Sequence, residues 1–188
     1  NSCRMLIAQP KGAGFHVVDS FSKSVQLGQG LEATGRLSRA AMTRTIGAIR
    51  ICKQKLQRHD VKRMRLVATE ACRRARNGAQ FLQQVRRETG LALEIIQPEE
   101  EARLAVLGCH ALLEPGDGPA LVFDIGGGST ELVLIDTAAA APRVLDWHSA
   151  PWGVVSLTDT VGRVEGDAPA RRGCGRRRGQ AGWACHRA

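Results

Sequence analysis

Apolar residues cluster in short runs at the start and middle of this chain and recur at helical spacing between them. Leu6-Ile7-Ala8, Phe15–Asp19 and Ser24–Leu27 predict three short strands, arranged as an antiparallel meander. Gly28, Gly30 and Gly35 then break the chain. Ser38 is placed to cap a long helix to about Arg58, with Met42, Ile46, Ile49 and Leu56 on one face and solvated Lys and Arg between them. Arg65–Thr69 and Leu91–Ile96 read as strands. Between them, Asn77 is placed to cap a helix from Gly78 to Glu88 that stops at Gly90. Pro98 and three glutamates open a helix to about Leu113, as helix-end electrostatics favours.

Glu114–Pro119 is a turn-rich connection and the expected domain boundary. Beyond it, two apolar runs within Leu121–Ile135 enclose Gly126-Gly127-Gly128, predicting buried strands joined by a tight turn. A strand over Arg143–Ser149 and a helix from Val154 to Val161 follow. Strands alternating with helices indicate an α/β fold with a mixed central sheet. The expected division is a first domain over 1–116, the beginning of a second over 117–165, and a tail over 166–188.

Composition changes this picture mainly at the end. The formal charge is +9, but residues 166–188 hold six Arg and one Asp, leaving +4 for the other 165 residues. The tail has no Leu, Ile, Val or Phe and cannot supply a core face, so it reads as disordered or as sequence after loss of the reading frame. The mildly basic body suits a polyanionic small substrate. With no Tyr and seven Phe or Trp in all, interleaved aromatics for nucleic-acid stacking are missing, and no nucleic-acid partner is expected. No apolar run has the length of a membrane span, and no signal peptide opens the sequence. The six cysteines form no CxxC pair and read as small buried hydrophobes, which points to the cytoplasm.

The candidate chemistry gathers at the glycine turn. Successive N–H groups there can cradle an anion. Asp124 ends the first run and Glu131 opens the second, so two hard oxygen ligands flank the cradle, an arrangement suited to a Mg²⁺–phosphate complex. Arg73, Arg74 and Arg76 follow a strand end, where open α/β sheets bind ligands, and read equally well as surface charge. One of Glu99, Glu100 and Glu101 facing the same cleft would supply a general base for water.

Four stretches in order carry a resemblance: Asn1-Ser2-Cys3-Arg4, Ala68–Gly78, Glu99–Leu104 and Asp124–Glu131. Together the chain resembles the exopolyphosphatase / guanosine pentaphosphate phosphohydrolase (Ppx/GppA) family, from residue 1 to about 161. That resemblance implies the ribonuclease-H-like fold of the actin, Hsp70 and sugar-kinase superfamily. It implies a hydrolase that releases terminal orthophosphate from inorganic polyphosphate with Mg²⁺, or the 5′ phosphate of guanosine pentaphosphate. The implied roles are catalytic for Glu101 and Glu131 and metal-binding for Asp124 and Glu131. The implied substrate ligands are Asn1, Ser2, Arg73, Gly126, Gly127, Gly128, Ser129 and Thr130.

The departures are specific. The family's first loop begins with an Asp and a Gly not seen here, so one strand and half a phosphate clamp are expected to be missing. Glu70 stands where the family has Ser. The chain as given is therefore expected to be poorly active, and a dimer is an expectation for the complete protein. An ATP-dependent kinase or ATPase of the superfamily and a basic nucleic-acid-binding module are the remaining alternatives.

Overall fold

The computed structural model describes residues 1–12, 14–109, 118–138 and 143–161. The expected tail and domain boundary fall outside them. β1 (Ser2–Lys11) and β2 (Gly14–Ser24) form an antiparallel hairpin, with Ser2 opposite Ser24 and Lys11 opposite Gly14. One long strand thus replaces the two expected over Phe15–Leu27, and the meander has two strands, not three. The reason lies just past Ser24. The Val25 and Gln26 N–H groups both donate to the Asn1 carbonyl, at 2.9 and 2.8 Å, and Gln26 takes a φ of 48°, which ends the ladder.

α1 (Leu31–Thr34) is a single turn that the apolar pattern did not signal, held between Gly30 and Gly35, both left-handed. α2 (Arg39–Arg58) begins as expected, with the Ala41 N–H donating to Ser38 Oγ at 3.2 Å. It buries Ile46, Ile49, Cys52 and Leu56. Its basic side is not wholly solvated: Lys55 Nζ donates to both Asp19 carboxylate oxygens at 2.8 and 2.7 Å, and His59 Nε2 lies 3.1 Å from one of them.

β3 (Val67–Ala68) pairs in parallel with β4 (Glu94–Ile95). Between them run α3 (Glu70–Arg74), which was not expected, and α4 (Gly78–Thr89), which ends on left-handed Gly90. Asn77 precedes α4 but its side chain makes no capping hydrogen bond. Instead the buried amide accepts from the Leu37 N–H at 2.8 Å and donates to the Leu37 carbonyl at 3.0 Å. This tie between distant loops outweighs a cap because both Leu37 groups would otherwise lie unpaired. Asn77→Ala should therefore lower stability by about 3 kcal/mol. A urea midpoint that barely moves would mean water satisfies Leu37 instead.

α5 (Pro98–Cys109) is followed by an antiparallel sheet of β5 (Pro119–Ile125), β6 (Thr130–Asp136) and β7 (Arg143–Ala150), then α6 (Val154–Val161). Both antiparallel and parallel ladders occur, in three hydrogen-bonded pieces among the described residues.

One core gathers Val25, Leu37, Ile46, Ile49, Phe81 and Val85; a second joins Ala102 and Val106 of α5 to Val133 and Ile135 of β6. Among the described residues no core cluster forms on the other side of this sheet. Register places Leu121 opposite Leu134 and Phe123 opposite Leu132, yet Leu121, Phe123 and Ile125 are 52, 61 and 63% exposed. Among the described residues β5 is thus half-covered rather than buried as expected, with α5 packing on one side.

Burial pushes the Cys52 thiol up to about 12 and the Cys72 thiol up to about 11. They are protonated packing groups, as expected; Cys174 and Cys185 lie outside the described residues. Among those residues no helix is long and apolar enough to cross a membrane.

Candidate active site

The β5–β6 turn is shaped by the helix that follows β7. The Gly126 N–H donates to the Ser129 carbonyl at 2.9 Å, closing the turn. The first amides of α6, which have no partner within their own helix, donate to the turn: Val154 to the Gly126 carbonyl at 3.0 Å, Val155 to the Gly127 carbonyl at 2.8 Å. The carbonyls are thereby drawn to one side. The Gly127 and Gly128 N–H groups make no hydrogen bond among the described residues, which leaves donors for an anion. Gly153 lets α6 come this close: a Cβ there would stand about 2.5 Å from Gly127 C and Gly128 N.

The hydroxyls of the turn are less available. Ser129 is buried, and Thr130 Oγ1 donates to the Trp152 carbonyl at 2.6 Å. Of the turn's expected ligands, the Gly127 and Gly128 amides are the open donors, while the Gly126 amide is spent on closing the turn. Asn1, from the first candidate loop, packs against Gly127, where any Cβ would collide with it. Asn1 Oδ1 accepts from the Gly28 N–H at 2.6 Å, so the two loops meet through one side chain. Ser2 follows it as the exposed first residue of β1.

The acids converge from three elements. Asp124 pairs with Glu131 across β5 and β6 and so shares its face of the sheet. Glu131 is 2% exposed and accepts from Ser149 Oγ at 3.0 Å; Asp124 is exposed. Glu101, in the first turn of α5, lies 3.1 Å from Arg73 Nη2. Burial pushes the Glu101 carboxyl above its ordinary range, the Glu131 charge adds to this, and Arg73 opposes it.

The neighbouring glutamates and arginines divide cleanly. Glu100 pairs with Arg103 and Arg65, which hold its carboxyl at about 2, and it belongs to the surface. Arg74 grips Glu32 with both terminal nitrogens, and Arg76 donates to the Thr34 carbonyl at 2.9 Å. Arg73 alone of the three touches Glu101. Its partners also include Glu70, whose place in the family pattern predicts an acid beside the phosphate path. Gly153 was missed; the Pro151-Trp152-Gly153 turn before a helix was its available signal.

Asn1, Glu101, Asp124, Gly126 and Gly127 line a groove of about 1220 Å³ that residues of β1 and residues 61–69 also line. Among the described residues no three His, Cys, Asp or Glu side chains group as a metal cluster. Mg²⁺ needs one or two carboxylates, with water and substrate completing the octahedron, and Asp124 with Glu131 fits that donor set.

The Ppx/GppA phosphatase family matches residues 6–175. Exopolyphosphatase 2 of Mycobacterium tuberculosis is 38% identical over 169 residues, which span 85% of this chain and 51% of that protein. Guanosine-5'-triphosphate,3'-diphosphate pyrophosphatase of Aeromonas hydrophila is 37% identical over 134 residues, 71% of this chain and 27% of that protein. The crystal structure of an Aquifex aeolicus Ppx/GppA family member superposes with a TM-score of 0.69 at 38% identity, over 85% of this chain and 50% of its own. An exopolyphosphatase from Cytophaga hutchinsonii superposes with a TM-score of 0.78 at 25% identity, over the same shares of the two chains. The chain spans about half the length of the exopolyphosphatase it matches. Its fold is the ribonuclease-H-like α/β fold of the actin and sugar-kinase superfamily.

Proposed function

This chain belongs to the Ppx/GppA phosphatase family, and from that premise we propose that it carries the phosphate-handling part of a phosphoanhydride hydrolase. The reaction is release of terminal orthophosphate from inorganic polyphosphate, with the 5′ phosphate of guanosine pentaphosphate as the alternative. The first unit would run over 1–116 and the second begin at 117, with a site between loops from both. The placement of Glu101 carries this reading: a carboxyl raised by burial stands beside Arg73 and the acid pair at the glycine turn.

Breaking a terminal phosphoanhydride needs charge neutralised on the equatorial oxygens and a water held in line. The Gly127 and Gly128 amides and the Arg73 guanidinium would neutralise those oxygens. Glu101 accepts a proton as the water oxygen bonds to phosphorus and the bridging P–O bond breaks, the electron pair leaving with the shortened chain. Asp124 and Glu131 would hold Mg²⁺, which when bound supplies further positive charge beside the phosphate. Ser149, donating to Glu131, orients that carboxylate. The protein acts in the cytoplasm in this reading, on a soluble polyanion.

Phosphate release from polyphosphate and from guanosine pentaphosphate, measured side by side with Mg²⁺, tests the function. The proteins compared are this chain and a form extended from its source DNA to the length of the relatives. No release from either substrate by a folded extended protein would overturn the proposal. The pH profile tests the base. Glu101 works ionised, so activity falls as pH drops through its raised pKa, and the acidic limb should lie above an ordinary glutamate's 4.5. A limb at or below that value would point to another group.

A further inference from the structure

Glu70 sits inside the candidate site although the chemistry above gives it nothing to do. It opens α3 directly after β3, and its side chain is 15% exposed. Oε2 accepts from Arg73 Nη2 at 2.8 Å, and Oε1 lies 3.6 Å from Arg74 Nε. A Cβ on Gly128 would stand 3.2 Å from Glu70 Cγ, so the carboxylate is carried in against the glycine turn. Arg73, itself 13% exposed, divides its guanidinium among Glu70, Glu101 and the Ile96 carbonyl. One cation therefore faces two carboxylates before any substrate arrives.

A phosphate oxygen seeking Arg73 Nη2 must take the place of one of the two carboxylates that share it, Glu70 at 2.8 Å or Glu101 at 3.1 Å. Glu101 is committed to the water proton, which leaves Glu70. We propose that Glu70 is a built-in competitor for the phosphate position on Arg73: it occupies the guanidinium in the empty site and is displaced when a polyphosphate terminus binds. The inference rests on the phosphate-binding reading of the preceding subsection and adds a residue that sets affinity. The geometry gives Glu70 two effects. It keeps Arg73 aimed at the glycine turn while the site is empty, and its charge opposes every incoming phosphate. A released orthophosphate faces the returning carboxylate, so product leaves readily.

The test is calorimetric titration of the 188-residue chain with tripolyphosphate. Glu70→Gln keeps the shape and an acceptor for Arg73 but removes the charge; Glu70→Ser removes the competitor altogether. Both should bind tripolyphosphate on the order of tenfold tighter than the parent. That gain should shrink as salt rises from 0.05 to about 0.5 M, because screening weakens the repulsion being removed. It should also vanish in an Arg73→Ala background, since the competition needs the shared cation. A purely structural Glu70 would show neither the salt dependence nor the coupling. If Glu70→Ser melts early, the isosteric Gln variant carries the comparison. Equal or weaker binding by Glu70→Gln, with measurable binding by the parent, overturns this inference alone. No binding by any of the proteins overturns the phosphate-binding reading and this inference with it.

Discussion

Glu101→Gln should lower phosphate release by about 10²–10⁴-fold in the extended protein while leaving it folded. The amide retains an oxygen toward Arg73 Nη2, so the local geometry has little reason to change. What disappears is the proton acceptor. Substrate affinity should hold or improve, since a negative charge near Glu131 is removed. Stability supplies an independent check with a definite sign. Because the folded pKa of Glu101 is raised, the folded state binds more protons than the unfolded one between the two pKa values, and stability falls as pH rises through that window. Once ionised, Glu101 is therefore a cost, and above that window the Gln variant should melt no lower than the parent. Retained turnover would remove Glu101 from the mechanism; lost turnover with a much lower melting temperature would mean its role is structural.

Gly153→Ala should damage both stability and the glycine turn. Its Cβ would meet the backbone of Gly127 and Gly128 at about 2.5 Å and the Gly126 carbonyl oxygen at 2.6 Å. Backbone atoms cannot swing aside as a side-chain tip does, so α6 or the turn must move. Either movement breaks the hydrogen bonds from Val154 and Val155 that hold the turn's carbonyls away from the cradle. The expected cost is about 1–3 kcal/mol of stability, together with loss of tripolyphosphate binding. Gly47→Ala provides the contrast. A Cβ at Gly47 meets nothing within 4 Å, and the residue lies inside α2. There alanine should raise stability by about 0.5–1 kcal/mol. Equal melting temperatures for the two variants would mean that α6 does not brace the turn.

Local pattern alone was enough for several elements. α2 is legible because its cap, its apolar spacing and its ending are all encoded within the same 21 residues, from Ser38 to Arg58. The β5–β6 hairpin is legible for the same reason: two apolar runs flank a glycine turn, and register then follows, with Asp124 opposite Glu131. Asp124, Glu131 and the glycine turn were named from residue order, Glu101, Arg73 and Asn1 through the family resemblance, and in the structure Asn1, Glu101, Asp124 and the glycine turn line one groove.

Other features depended on partners far away in the chain. Asn77 has the chemistry of a cap, yet a buried backbone 40 residues earlier claims its amide. Ser24–Leu27 has the composition of a strand, but the Asn1 carbonyl takes its N–H groups. Exposure of Leu121, Phe123 and Ile125 follows from how the described residues pack on that sheet, which no spacing records. Without the family resemblance, which picks Glu101, the choice among Glu99, Glu100 and Glu101 was of the same kind. Arg65 and Arg103 draw Glu100 to the surface, while Arg73 and Glu131 surround Glu101. By itself, then, the sequence determined the elements, the glycine turn and the residue types available for phosphate chemistry, because those depend on neighbours a few positions apart. Tertiary structure decided which acid is raised, which arginine faces it and that Glu70 competes for the same cation, because charge and burial act through space between segments that sequence order keeps apart.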